Sequence, residues 1–194
     1  MKKLLPFLLL FILFSCRKSS PEIENETSVI APGYVQYTIE QGAHYCNNNS
    51  LKAISLNEMN FKVKFDSSAI YKTVNAANQK DINKLYGFSE GIDNHVNSAR
   101  IGWAWYKDAL RLYAYTYCNG TRDFKEITTV DIGAGVMCGI KVSGSEYIFS
   151  VDKMIVTMPR AVQSTVASGY QLYPYFGGDE TAPARIQVQI QDIP

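Results

Sequence analysis

The chain has 194 residues, 46% of them apolar and 19% charged, with a formal net charge of +1. That make-up excludes disorder over most of its length, and a near-neutral balance without a basic run excludes electrostatic capture of nucleic acid. Its four cysteines and two histidines show no CxxC or Cys/His spacing of a zinc site, so a structural metal built on the thiols is excluded too.

The chain opens Met-Lys-Lys, continues as an apolar run from Leu4 to Phe14, and reaches Ser15-Cys16. A short basic start, an apolar stretch and a small residue before the cut describe a secretory signal peptide. The run is shorter than the ~18–20 residues that a spanning helix needs. Leu13-Phe14-Ser15-Cys16 resembles the lipobox of bacterial lipoproteins. That resemblance implies removal of residues 1–15 and acylation of Cys16, whose acyl chains would then be the membrane partner. Arg17 stands where an aspartate would favour the inner membrane, so the outer membrane is the expected address, with leaflet and oligomeric state left open. Loss of Lys2 and Lys3 takes the balance from +1 to −1. Residues 16–33, polar with Ser19-Ser20-Pro21 and three glutamates, are expected to be a tether. Residues 34–194 fit one domain. Of its Cys46, Cys118 and Cys138, at most one pair could bridge, and small unpaired thiols are the simpler expectation.

Within the domain, residues 34–40 alternate as a first strand, and residues 59–66 alternate more cleanly, with Met59, Phe61, Val63 and Phe65 on one side. From Ser67 to Asn97 the alternation is lost. Residues 78–85 allow one or two helical turns with Ile82 and Leu85 on one side, and the whole stretch reads as an excursion packed over the sheet.

Residues 98–117 then read as a β-hairpin with a four-residue loop at Tyr106–Ala109. Trp105 faces Leu110, Trp103 faces Leu112 and Ile101 faces Ala114, all on one apolar face. Arg100, Gly102 and Ala104 face Tyr115, Tyr113 and Arg111 on the other. A one-residue slip would turn both tryptophans to solvent, so the register is strongly specified.

Asn119-Gly120 is the strongest short turn signal. Residues 124–132 carry mixed patterning that a bulge would reconcile. Strands are expected at residues 136–142, 147–151, 154–158 and 185–193, the last with Ile186, Val188 and Ile190 inward. Eight to ten short strands with almost no helix make an all-β, antiparallel β-sandwich.

Residues 61–66 (Phe-Lys-Val-Lys-Phe-Asp), 82–88 (Ile-Asn-Lys-Leu-Tyr-Gly-Phe), 97–103 (Asn-Ser-Ala-Arg-Ile-Gly-Trp) and 173–178 (Tyr-Pro-Tyr-Phe-Gly-Gly) resemble a family of Bacteroidota lipoproteins, over most of the mature domain. The architecture looks like the concanavalin A-like jelly roll shared by lectins, laminarinases and several polysaccharide lyases. The resemblance implies a sugar-related role without a specific one. No Glu-x-Asp-x-x-Glu stretch supplies the paired carboxylates of laminarinase-like enzymes. No Gln-Ile-His or Gln-Val-His strand is present either; the nearest stretch, Gln187-Val188-Gln189, lacks the histidine and is expected to face solvent.

Three candidate sites follow. Arg100, Arg111, Tyr113, Tyr115 and Tyr117, on the polar face of the hairpin, offer aromatic planes for sugar rings and arginine forks for hydroxyls or a uronate carboxylate. The ordinary alternative is that residues 67–97 cover this face as a second core layer. His95 with Arg100 supplies the base and neutraliser that β-elimination on an acidic polysaccharide needs, and His95 with Asp93 and Asn97 is the one place a calcium ion is conceivable; no other cofactor is expected. A loop histidine bonded to backbone is the ordinary reading there, as for His44. The Tyr173–Gly178 stretch is either a ligand-facing loop or, as Pro174 and the glycines favour, a bend. A non-catalytic domain for glycan binding or surface interaction is the leading expectation; an acidic-glycan lyase and a purely structural envelope protein are the rivals.

Overall fold

Twelve strands lie among residues 30–194, the residues that the computed structural model describes. The expected leader and Cys16 fall outside them. One antiparallel sheet orders β1 (Val35–Ile39), β12 (Ile186–Ile193), β3 (Glu58–Phe65), β8 (Gly135–Ser143), β9 (Glu146–Val151) and β10 (Met154–Pro159). The other orders β2 (Ala53–Leu56), β11 (Ala167–Leu172), β4 (Asn83–Ser89), β5 (Ser98–Tyr106), β6 (Ala109–Cys118) and β7 (Thr121–Val130). The end of the expected tether already belongs to the fold, because the Ala31 amide donates to Gln189 Oε1 at 3.1 Å. That bond, with a nearly buried side chain, also corrects the expectation that Gln189 faces solvent.

The core forms where the two apolar faces meet. Phe61, Val63 and Phe65 alternate inward from β3, and Ile186, Val188 and Ile190 from β12, as their spacing predicts. Opposite them, Trp103 packs against Phe65 at 5.3 Å and edge-on to Tyr71 at 5.6 Å between ring centroids. Each such side chain removed from water contributes on the order of 1.5–3 kcal/mol. Among the described residues, Cys46, Cys118 and Cys138 are all free thiols, and burial pushes Cys46 up to about 12.

The hairpin has the predicted register: Trp105 pairs with Leu110, Trp103 with Leu112, Ile101 with Ala114, and Arg100 with Tyr115. Its loop is tighter than expected. Tyr106 and Ala109 form the last strand pair, and Lys107 and Asp108 turn the chain alone with φ of 52° and 54°. Two successive left-handed residues mark a type I′ turn, whose twist matches that of the strands but which disfavours residues bearing a Cβ. An Asn-Gly pair is the preferred occupant of such a turn. The double variant Lys107→Asn/Asp108→Gly should therefore raise stability by about 0.5–1 kcal/mol, read from the urea midpoint.

The excursion differs more from expectation. The helical turn is a short 3₁₀ helix at Ala76–Lys80, N-capped by the Asn75 side chain. Beyond it, β4 is a full strand in the centre of its sheet, buried along nearly its whole length. A bulge between Lys84 and Tyr86 lets both Leu85 and Tyr86 join the core, which erases the alternation. Ile82 and Leu85 therefore lie on opposite faces, Ile82 outside and Leu85 between the sheets. The irregularity in β7 has the same cause. Tyr113 pairs with Glu126 and Leu112 with Thr128, so Ile127 is the extra residue and turns into the core.

Candidate functional site

The outer face of the hairpin is neither wholly open nor wholly covered. At its turn-proximal end Ile82 lies over Gly102, where a Cβ would come within 2.5 Å of Ile82 Cγ2. Ile82, Ala104, Tyr113 and Tyr115 form a small cluster of their own there. Tyr113 is covered, with Phe124 edge-on at 6.3 Å. Arg111 is tied to Glu126 at 2.8 Å and to the Tyr106 carbonyl at 3.0 Å. Neither of these two expected ligand-binding residues lines the cavity described next: Tyr113 packs with Ile82, and Arg111 is held in an ion pair within the sheet.

The other end opens into a cavity of about 450 Å³. Arg100, Tyr115 and Tyr117 line it, so three of the five residues expected on that face are brought together. Lys84 from β4 and Arg122 from β7 join them, with Tyr170 from β11 and Tyr173 and Tyr175 from the segment after it. Six tyrosines in all border the cavity, and among the described residues no aspartate or glutamate does. Arg122 was within reach of sequence reasoning, because a two-residue Asn119-Gly120 turn places it opposite Tyr117. Lys84 was not, since its strand was unrecognised.

Arg100 sits at the base of this space, 7% exposed, with its guanidinium carbon 5.4 Å from the centre of the Tyr115 ring. Lys84 Nζ lies 5.3 Å from the same ring and 5.4 Å from that of Tyr175, and donates to the Gly177 carbonyl at 2.8 Å. Burial, then the charges of Arg100 and Arg122, push the Lys84 ammonium down to about 8. Burial pushes the Tyr115 hydroxyl up to about 12, so it is a neutral hydrogen-bonding group at physiological pH. The Tyr173–Gly178 stretch is both bend and wall: Gly177 has a φ of 135°, while Tyr175 stacks on His44 with ring centroids 5.2 Å apart.

His95 stands at the rim, its side chain 70% exposed, with its ring edge-on to Tyr117 at 5.1 Å. It lines the same cavity as Arg100. Asp93 Oδ1 accepts the His95 amide at 2.8 Å and Asn97 Oδ1 accepts the Asn119 amide at 2.9 Å, so one oxygen of each side chain at the conceivable calcium site serves the backbone. Among the described residues no cluster of three or more His, Cys, Asp or Glu side chains could hold a metal ion.

Solved structures share this architecture at very low identity. An alginate lyase, AlyC3, superposes with a TM-score of 0.54 and 10% identity, over 82% of this chain and 74% of its own. The GH16 of the Bacteroides ovatus mixed-linkage glucan PUL, in complex with a G4G4G3G product, gives 0.53 and 7% over 82% and 81%. The fold is the concanavalin A-like jelly roll. A functionally unknown protein from Saccharomyces cerevisiae gives a TM-score of 0.51 with 12% identity, over 86% of this chain and 90% of its own. No family model and no curated protein matches the sequence. In this jelly roll the cavity lies on the outer face of the sheet that contains the hairpin, roofed on one side by the Tyr173–Gly178 stretch.

Proposed function

We propose that the chain is an outer-membrane lipoprotein, anchored through Cys16, whose jelly roll holds a glycan in the tyrosine-lined cavity without cleaving it. The carrying observation is the lining itself: six tyrosines and three cationic side chains, with no carboxylate among the described residues. Tyrosine rings suit the apolar faces of sugars, while their hydroxyls and the cations suit the polar edges. Hydrolysis by the usual route needs two carboxylates about 5–5.5 Å or 6.5–9.5 Å apart, and this cavity offers none. Architectural neighbours solved with bound sugars support the reading, among them AlyC3 with dimannuronate. The lipobox, the tether and Arg17 support the address.

Titration of the protein against a panel of oligosaccharides tests this. Binding should weaken about tenfold or more in Tyr175→Ala and Tyr117→Ala, as truncating an aromatic anchor usually costs ~2 kcal/mol. Equal affinity in both variants would remove the cavity from the account. Unsaturated, ultraviolet-absorbing products from any acidic polysaccharide would overturn the non-catalytic reading and return His95 and Arg100 to the roles of base and neutraliser.

A further inference from the structure

Two arginines are buried among the described residues, and they are treated differently. Arg160 is 3% exposed and fully engaged: it meets both oxygens of Glu90, at 2.6 and 2.9 Å, and donates to the carbonyls of Gly144 and Ser164. Arg100 is 7% exposed, yet its Nε has no hydrogen-bond partner and its side chain makes one long bond, 3.4 Å from Nη2 to Ser98 Oγ. Among the described residues no ion pair involves Arg100, Lys84 or Arg122. A buried guanidinium without an acceptor is costly, and it persists here beside a second cation on the same tyrosine ring.

We infer that the base of the cavity is a subsite for an anionic substituent of the glycan, a carboxylate or an ester sulfate, received by Arg100 and Lys84 with Arg122 at the mouth. The inference rests on the glycan reading above and names the ligand's charge. The geometry suits it: the guanidinium presents a planar donor fork, and the ammonium has two protons left after its bond to the Gly177 carbonyl. Close packing beneath the site holds the fork's strand in place, since a Cβ on Gly87 would come within 2.7 Å of Arg100 Cα. Every charged group that acts on Lys84 is accounted for. Arg100 on β5 and Arg122 on β7 repel it, Asp81 before β4 attracts it, and Tyr115 and Tyr175 contribute neutral rings. An anion would relieve that repulsion and hold the Lys84 proton more tightly.

The test titrates the full chain in detergent with three probes of matched length: an oligouronate, the same oligouronate with its carboxyls reduced to alcohols, and a sulfated oligogalactan. One acidic probe should bind at least 100-fold more tightly than the reduced one, and which of the two does so tells carboxylate from sulfate. Arg100→Met should abolish that preference, Lys84→Met should lower it about tenfold, and Arg122→Ala, at an exposed position that leaves the fold untouched, about threefold. Affinity should fall as pH rises through 8, and Lys84→Arg should remove that fall while keeping the preference. If the reduced probe binds as well as the acidic ones, or Arg100→Met keeps the preference, the anionic subsite is wrong while the glycan reading stands. If none of the probes and no neutral oligosaccharide binds, the glycan reading itself falls and takes the subsite with it.

Discussion

Glu90→Ala should lower the free energy of unfolding by about 3–5 kcal/mol, the usual consequence of deleting one member of a buried ion pair. Glu90 follows β4 in one sheet; Arg160 follows β10 in the other, and Tyr147 on β9 adds a third bond to Glu90 Oε1 at 2.6 Å. The cluster thus ties the two sheets together at one end. Without the carboxylate, Arg160 would keep its carbonyl partners but carry an uncompensated charge in a site with almost no access to water. Glu90→Gln retains the volume and part of the hydrogen bonding, so it should cost less. The double variant Glu90→Leu/Arg160→Met should recover most of the loss, because replacing both partners with apolar groups removes the unpaired charge. Urea unfolding measures all three, and the single alanine variant should lower the thermal midpoint by roughly 10 °C or more. A loss of under about 1 kcal/mol would mean that water reaches the pair and that the sheets are held by apolar packing alone.

How much of this was legible in sequence depends on whether one face of an element meets water. The hairpin was readable because Trp103, Trp105 and Leu112 alternate with residues of a different character, so the period of two survives in the sequence. The strand β4 was not readable, since both its faces are covered and its bulge puts Leu85 and Tyr86 on the same side. One wall of the cavity followed from the hairpin's parity, which put Arg100, Tyr115 and Tyr117 on one face. Parity could not reveal that Ile82 would divide that face, because Ile82 reaches it from a segment without periodicity. That Lys84 and Tyr175 would meet beside that face was out of reach for the same reason: it depends on a pairing between segments far apart in sequence, the bridge of Lys84 to Tyr175. The Glu90–Arg160 pair, 70 residues apart in sequence, carries no local signal at all.

Arg100→Met should have the opposite effect on stability from Glu90→Ala: it should make the unliganded protein more stable, by about 1–2 kcal/mol. A methionine of similar length would fill the base of the cavity without a charge to desolvate, and burying an ion costs several kcal/mol even after relaxation. The gain is smaller than that cost, because the cavity admits solvent to one side of the guanidinium and the contact with the Tyr115 ring is lost. Burial already pushes the Arg100 guanidinium down from its usual range, which is the same penalty seen from the protonation side. Lys84→Met should act in the same direction. With its ammonium at about 8, the folded protein binds fewer protons than the unfolded chain between pH 8 and the ordinary lysine range, so Lys84 destabilises the fold below that window and less within it. The stabilisation by Lys84→Met should accordingly be largest at pH 7 and shrink as pH rises above 8. Thermal and urea midpoints of both variants, measured without ligand, decide the matter. A lower midpoint for Arg100→Met would make that residue a structural tie like Arg160, whereas a higher one means that the fold tolerates a costly buried cation whose partner must come from outside the chain.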